Sequence, residues 1–399
     1  MRSAGQTPQR FQPDLNAVPP EMTAFARRFM RGVSPPTEAH VDALGEALLR
    51  GDPLADAWVE FAAEHLSHQR AQEWVERAIN HGIDRLYQPP ESLIALFEDL
   101  ERVPLWLDDD LLDLARRTVR RSGPVGNWLL VNVALMGGYR YEGVIQPLLM
   151  TGRLTDYAPR RLADTTQFVQ DVISERGLHR SGRGYRAVIR VRLLHAHIRY
   201  HLRRSKDWSN DRWGEPINQA DMLATQLLFS LSYLVTGSVM GASFSARETQ
   251  SVIHLWRYVG HLIGIDAHLL PATEEEARRA FYLIGITQSL AGEEVAQLGR
   301  ALHEVPLSLA DSALSRLSAR ASMSIRAGIS RLFLGDEAMD HLGLPKSKAR
   351  FAVLGAIPFI YSAERVRRLV PGATRLATLC GGALQDLHAR RLVKRTRER

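Results

Sequence analysis

Apolar residues recur at helical spacing along most of the chain. After residue 37, Val41, Leu44 and Leu48 fall three or four positions apart, and the same spacing returns at Leu54 and Trp58. Such spacing places apolar side chains on one face of a helix. No run of residues alternates between apolar and polar over a length that would predict a sheet. The pattern therefore predicts an all-α fold, built as a single large helical domain.

Two segments are apolar on more than one side of the predicted helix. They are residues 125–136 and 222–240, and both are typical of central helices. Neither reaches the uninterrupted length of about 18 apolar residues that a membrane span needs. The second segment is a candidate lining for an apolar substrate pocket.

The composition divides the chain into three parts. Residues 1–36 contain six of the 19 prolines and predict a loosely ordered N-terminal arm. Residues 37–385 form the helical domain. Residues 386–399 form a basic C-terminal tail, because the last ten residues carry six basic side chains and one acid, which is +5 of the net charge of +7.

The location of this charge limits the partners that the protein can have. A basic excess confined to one end predicts a solvated tail or a peripheral membrane contact, and it predicts no specific binding of nucleic acid. The single cysteine, Cys380, excludes an internal disulfide framework and a cysteine-ligated metal cluster. The N-terminus shows no apolar signal core, so we expect a cytoplasmic protein.

Common catalytic signatures are absent from the sequence. It contains no H-E-x-x-H zinc motif, no phosphate-binding G-x-x-x-x-G-K-[ST] loop and no G-x-S-x-G elbow. Residues 182–187 match G-x-G-x-x-A, but no strand precedes them, and dinucleotide binding is therefore not predicted.

The most informative segment is the predicted helix at residues 184–203. His195 lies at the edge of an apolar stripe, and Arg192 and Arg199 lie on the same side of the helix. The stripe consists of Ala187, Val191, Leu194, Ile198 and Leu202. One imidazole beside an apolar wall with two cations suits a haem, because imidazole binds iron and arginine pairs with propionates. A histidine held in the core or at the surface by hydrogen bonds fits the same pattern.

Two further patterns have both a functional and a structural interpretation. His197 and His201 are four residues apart and could hold a metal such as zinc, or form a solvated pair. Arg161 and Thr165 are also four apart and share a helix face. They could orient a polar ligand such as dioxygen, or be a surface arginine and a helix-interior threonine.

The segment around His195 resembles a known family signature. Residues 192–199 read R-L-L-H-A-H-I-R, which is similar to the R-L-x-H-A-x-x-R pattern of latex clearing proteins. These proteins belong to the family of rubber oxygenases and MpaB-type oxygenases of mycophenolic acid pathways. The resemblance covers about residues 134–271. Other family-like stretches are Arg161 with Thr165 and residues 151–154, 213–222, 254–265 and 270–271.

The resemblance implies a globin-like helical core that encloses one haem b. His195 matches the proximal iron ligand, Arg192 and Arg199 match the arginines near it, and Arg161 and Thr165 match the distal polar pair. The family uses O2 to oxidise or cleave carbon–carbon double bonds of isoprenoids. We therefore expect a haem-dependent oxygenase of the dioxygenase type, whose partners are O2 and an apolar or prenyl substrate.

The chain departs from the rubber-cleaving pattern at three points. Asp164 precedes Thr165, where rubber-cleaving members tend to have a lysine. Glu142 is the nearest candidate for their distal glutamate. They are typically exported, and this sequence shows no export signal. The substrate is therefore not necessarily rubber. The alternatives are a haem-binding protein without turnover, a helical scaffold of the same fold, and a metal hydrolase that uses His197 and His201.

Overall fold

Helices form the secondary structure of the part of the chain that the computed structural model describes, which is residues 7–15, 29–150 and 158–398. No residue in these ranges belongs to an extended strand, and Tyr141 pairs with Leu290 only in an isolated antiparallel bridge. The prediction of an all-α fold is confirmed.

The described helices follow one another with short connections. They are α1 (Glu38–Ala47), α2 (Pro53–His65), α3 (His68–His81), α4 (Glu91–Glu101), α5 (Asp109–Arg121), α6 (Gly123–Leu129), α7 (Met136–Gly138), α8 (Glu142–Met150), α9 (Ala158–Val172), α10 (Arg183–Arg203), α11 (Asn210–Trp213), α12 (Gln219–Val239), α13 (Ala246–Leu262), α14 (Glu274–Thr287), α15 (Val295–Ser308), α16 (Ala313–Leu334), α17 (Asp336–His341), α18 (Ala349–Leu369) and α19 (Ala373–Arg397). A 3-10 turn (Ile83–Arg85) follows α3, and a π-helical segment (Leu130–Leu135) joins α6 to α7.

The chain divides into two compact units, where the sequence predicted one domain. The first unit contains the described residues up to Asp110 together with Asp171–Gln226 and His254–Thr287. The second unit contains Leu111–Gln170, Leu227–Ile253 and the residues from Gln288 onward. Each unit is therefore assembled from three separate stretches of sequence.

In the first unit, α2 is the helix on which others pack. Asp52 caps its N-terminus by accepting a hydrogen bond from the Ala55 amide at 3.3 Å, and Pro53 occupies the first turn. Trp58 and Val59 on its inner face are buried. Helices α10 and α4 both contact α2. These contacts place α10, which carries His195, against a rigid neighbour.

In the second unit, an apolar core lies among α7, α8, α15 and α17. Met136, Ile145, Leu298, Leu302 and Met339 belong to it and are almost fully buried. Helix α15 packs on α16, and α19 packs on α6. This core supports the walls of the cavity described below.

Helix α12 has the length and the composition of a membrane span. Its most apolar window is 67% buried inside the protein, which is how the core helix of a protein packs. The burial agrees with the central position predicted for residues 222–240.

The two ends of the chain differ from the prediction. In the N-terminal arm, Arg10 is buried; it donates to Asp221 at 2.7 Å and to the Trp213 carbonyl at 2.8 Å. Residues 1–6 and 16–28 lie outside the described residues. At the other end, α19 continues to Arg397 and buries Ala389, so residues 386–397 are a helix rather than a separate tail. Contacts with residues distant in the sequence, polar for Arg10 and between helices for α19, explain both differences, and local charge patterns do not show such contacts.

Candidate functional site

His195 lies near the middle of α10 in the first unit. Its Nδ1 atom is buried and has no hydrogen-bond partner. Burial lowers the pKa of His195 to about 4, and the positive charge of Arg199 acts in the same direction. The imidazole is therefore neutral near pH 7, the protonation state that binds a metal ion.

Most of the apolar stripe predicted beside His195 does not face the protein core, although Leu202 at its end is buried. Leu194 is 55% exposed, and Val191 and Ile198 are only partly buried. The core side of the helix contains Tyr185 and Ile189 instead. Because the helix is rotated in this way, His195 lies beside apolar surface that the protein's own core does not use.

Arg192 and Arg199 explain this rotation, because both are buried and paired with carboxylates. Arg192 donates to both oxygens of Asp52, at 2.7 and 3.0 Å, and to Asp99 at 3.0 Å. Arg199 donates from Nε to Asp56 at 2.8 Å. A buried arginine is tolerated only when its charge is compensated, so the arginine side of α10 faces α2. In this structure the two guanidinium groups hold the helix of His195 in place.

Sequence reasoning missed these aspartates. Asp52 and Asp56 are buried, and Asp99 is partly exposed. One signal was present: Asp56 lies between Ala55 and Trp58, on the apolar face of α2, where a charged residue is unexpected without a partner. Its distant partner could not be read from the sequence.

A second cluster of interacting side chains is built around two histidines of α13, His254 and His261. His254 Nε2 accepts a hydrogen bond from the Asp108 amide at 3.0 Å, and Trp106 packs edge-on against both His254 and His261. Burial lowers the pKa of His261, while Asp99 opposes that shift. The family-like stretch at residues 254–265 therefore adjoins the Arg192 network through Asp99.

Arg161 and Thr165 lie on α9 in the second unit. Both are partly buried, and Asp164 between them is exposed. Burial raises the pKa of Tyr139, and the nearby charge of Arg161 opposes this rise. Tyr139 is thus a further hydroxyl close to Arg161 that the sequence did not single out. Glu142 is buried, and residues 151–154 lie outside the described residues.

His197 and His201 do not form a metal site in the structure. His197 donates from Nδ1 to the Leu193 carbonyl of its own helix at 2.8 Å, and His201 is exposed. Within the described ranges, no group of three or more His, Cys, Asp or Glu side chains is placed to hold a metal ion. The zinc hydrolase hypothesis has no support in this geometry.

Comparisons by sequence and by fold both relate this chain to one family of oxygenases. Residues 124–370 match the family described as ER-bound oxygenase mpaB/B'/Rubber oxygenase, catalytic domain. The chain is 23% identical to the rubber oxygenase of Streptomyces sp. (strain K30) over 305 residues, which cover 74% of this chain and 70% of that protein.

A solved structure shares the fold. The latex clearing protein LCP in its closed state aligns with a TM-score of 0.61 and 20% sequence identity, covering 84% of this chain and 91% of that one. The family match spans more than half of the chain and includes Arg161, Thr165, Arg192, His195 and Arg199, but not Asp52, Asp56 or Asp99. The chain therefore belongs to the family of ER-bound mpaB/B' oxygenases and rubber oxygenases, and it carries their catalytic domain.

Proposed function

We propose that this oxygenase depends on haem b and uses O2 to oxidise or cleave a carbon–carbon double bond in an apolar, isoprenoid substrate. The observation that supports this most directly is His195, a neutral imidazole whose Nδ1 atom is buried without a partner. An unpaired buried nitrogen is costly unless a ligand satisfies it.

The residues around His195 fit a haem. The imidazole provides a neutral nitrogen for iron. Leu194, Val191 and Ile198 provide apolar surface beside it. Arg192 is fully engaged by Asp52 and Asp99, but Arg199 keeps a buried Nη2 atom without a hydrogen-bond partner, which leaves one donor for an acidic edge. The pairing with propionates expected for both arginines is therefore proposed for Arg199 alone.

The bound haem would supply the redox chemistry that activates O2. Arg161 and Thr165 would donate hydrogen bonds to the oxygen co-substrate, a role that favours charge developing on oxygen in the transition state. Cleavage would break the C=C bond and form two C=O bonds, with one atom of O2 in each product. That balance requires no external reductant.

The exposed position of Asp164 is relevant to the choice of substrate. Its carboxylate lies in solvent, where its effect on charge at oxygen is strongly screened. Arg161 and Thr165 thus keep their proposed roles, although the lysine of rubber-cleaving members is absent. We propose a small prenyl compound rather than polymeric rubber as the substrate.

The first test is the visible absorption spectrum of protein purified after haem-sufficient expression. The wild type is expected to show a Soret band that His195→Ala weakens or shifts. His197→Ala is the matched control, because it removes a histidine of the same helix whose Nδ1 atom is bonded to the backbone. A spectrum that responds to His197→Ala and not to His195→Ala would contradict the assignment of the ligand.

The second test measures the reaction. Protein with haem is incubated with squalene or a short cis-isoprene oligomer, and O2 uptake and carbonyl products are recorded. With 18O2, each cleavage product is expected to carry one labelled carbonyl oxygen. A Soret band without O2 uptake would instead favour the haem-binding protein without turnover.

We also propose that the C-terminal helices contact a membrane surface, in keeping with the ER-bound members that the family description names. Phe359 and Leu369 on α18 and Leu376 on α19 are each more than 60% exposed, and the exposed Arg368 and Arg375 directly precede the two leucines. Apolar side chains beside arginines suit an anionic lipid surface. Sedimentation with anionic but not with neutral vesicles would support this contact, and Phe359→Ser with Leu369→Ser is expected to abolish it.

A further inference from the structure

The second unit contains a cavity of about 400 Å³ that the oxygenase reaction does not explain. Its lining includes the apolar side chains of Trp128, Val131 and Leu309 and the basic side chains of Arg326, His388 and Arg391. Its volume is within the range of about 300–1,000 Å³ that small-molecule sites occupy. All of its lining residues belong to the second unit, whereas His195 belongs to the first.

Arg326 is the unusual member of this lining. It is 6% exposed, and its Nε atom is buried without a hydrogen-bond partner. Burial lowers its pKa to about 10, and no acidic side chain opposes that shift. At neutral pH the guanidinium is nevertheless charged. It is thus a buried cation that borders a cavity and for which no described residue supplies a counter-charge.

The other buried arginines show how this chain normally compensates such a charge. Among the described residues, Arg10, Arg192, Arg199 and Arg331 are also buried, and each is paired with at least one aspartate at 2.6–3.0 Å. An unpaired buried cation costs several kcal/mol in general, so proteins rarely keep one without a use. Arg326 is the exception within the described ranges, and it is the one that lines the cavity.

The surroundings of Arg326 supply no negative charge. His388 has its pKa lowered by burial and by Arg326 and Arg391, and His303 has its pKa lowered to about 4 by burial and by Arg326. Both imidazoles are therefore neutral. Arg391 is exposed at the rim, and the lining contains no Asp or Glu. Ser318 and Ser322 supply hydroxyl groups.

We propose that this cavity binds a small amphipathic anion, with its oxyanion head on Arg326 and its apolar body against Trp128 and Leu309. A carboxylate and a phosphate monoester share the required chemistry, because both accept charge-assisted hydrogen bonds from a guanidinium. The apolar wall excludes small hydrophilic anions as the preferred occupants. None of the residues proposed to hold haem or O2 lines the cavity, although Leu162 and Thr166, the neighbours of Arg161 and Thr165, do. This proposal therefore does not depend on the proposed haem chemistry.

The test uses three probes with the same saturated ten-carbon chain. Decanoate, decyl phosphate and decan-1-ol are titrated into the full-length protein by isothermal calorimetry, at concentrations below micelle formation. A saturated chain offers no double bond, so the oxygenase cannot turn it over. We expect one or both anions to bind and the alcohol to bind at least tenfold more weakly. The anion that binds more tightly identifies the chemical class of the natural ligand, a carboxylic acid or a phosphate ester. Equal binding of all three probes, or of none, would overturn the proposal.

Two arginine variants of α16 provide the matched comparison. Arg326→Met is expected to weaken binding of the anion about ten- to hundredfold, and to raise the melting temperature of the free protein, because it removes an uncompensated buried charge. Arg331→Met is expected to lower the melting temperature and leave binding unchanged, because Arg331 is paired with Asp336 and Asp340. A lower melting temperature in Arg326→Met with unchanged binding would show a structural role and would overturn the proposal.

His195→Ala separates this site from the proposed haem site. We expect it to retain binding of the anion, because His195 is not part of the cavity. Loss of binding in His195→Ala, or a change of the Soret band on adding decanoate, would place the anion at the haem and would contradict a separate site. If the protein never binds haem, the binding experiments still decide this proposal.

Discussion

Removing the carboxylate of Asp52 is expected to destabilise the first unit strongly. Asp52 and Arg192 are 2% and 3% exposed in their side chains, and two hydrogen bonds join them. Loss of one partner from a buried ion pair generally costs about 3–5 kcal/mol, because the other charge stays buried. Asp99 still neutralises part of the Arg192 charge. The lost cap of α2 adds about 1 kcal/mol. We therefore expect a net cost of about 3 kcal/mol for Asp52→Ala.

This cost translates into a measurable shift of the melting temperature. For a unit of about 200 residues, 1 kcal/mol corresponds to about 2–4 °C, so Asp52→Ala should melt about 6–12 °C lower. Thermal unfolding followed by far-ultraviolet circular dichroism measures this. Asp99→Ala is the control, because Asp99 is 34% exposed and its loss should cost about 1 kcal/mol or less. If the two variants melt at the same temperature, the reasoning about burial is refuted.

Three further predictions concern other parts of the chain. Gly264→Ala should unfold at a lower temperature than the wild type, because Gly264 has a φ of +91° and an added Cβ would press on the Asp52 carboxylate. Arg161→Gln should lower kcat about 100-fold with an unchanged Soret band, as expected for a lost donor to oxygen; an unchanged kcat would exclude that role. Burial raises the pKa of Glu248, but the hydrogen bonds from Arg121 and the Ser245 backbone, together with the charges of Arg121 and Arg367, outweigh burial, so the pKa is lowered in the folded protein. The stability from this pair should be complete above the unfolded pKa and lost as the pH falls through the folded value. Acid titration of the melting temperature should show a smaller loss in Arg121→Met.

Helical periodicity was enough to predict the all-α fold, and the pattern around His195 was enough to place that residue on a long helix. The buried face of this helix was not predictable from the same pattern. Hydrophobicity favours burial of Leu194 and exposure of Arg192, whereas the structure does the reverse. The reason is a pair of aspartates, Asp52 and Asp56, about 140 residues earlier in the chain. Periodicity reports only local preference, and it contains no information about a counter-charge that is so distant in the sequence.

The same limit applies to Arg326 and its cavity. In the sequence, Arg326 is one of many arginines on a helix with regular spacing. Arg326 differs from the other buried arginines because it has no acidic partner among the described residues. Only the packing of α15, α16 and α19 around it shows this. The roles of Arg161, Thr165 and His195 remain predictions, because they depend on a cofactor and on a substrate.

The division of each unit into three stretches has a consequence for how the protein is made. Asp52 leaves the ribosome 140 residues before Arg192, a delay of about 7–28 s at typical synthesis rates of about 5–20 residues per second. The first unit lacks its last stretch until Thr287 has been synthesised. During that interval the nascent chain exposes the apolar face of α2 and carries uncompensated acidic side chains. Biogenesis of this protein should therefore be sensitive to chaperone supply, and fragments that end before Thr287 should accumulate in inclusion bodies.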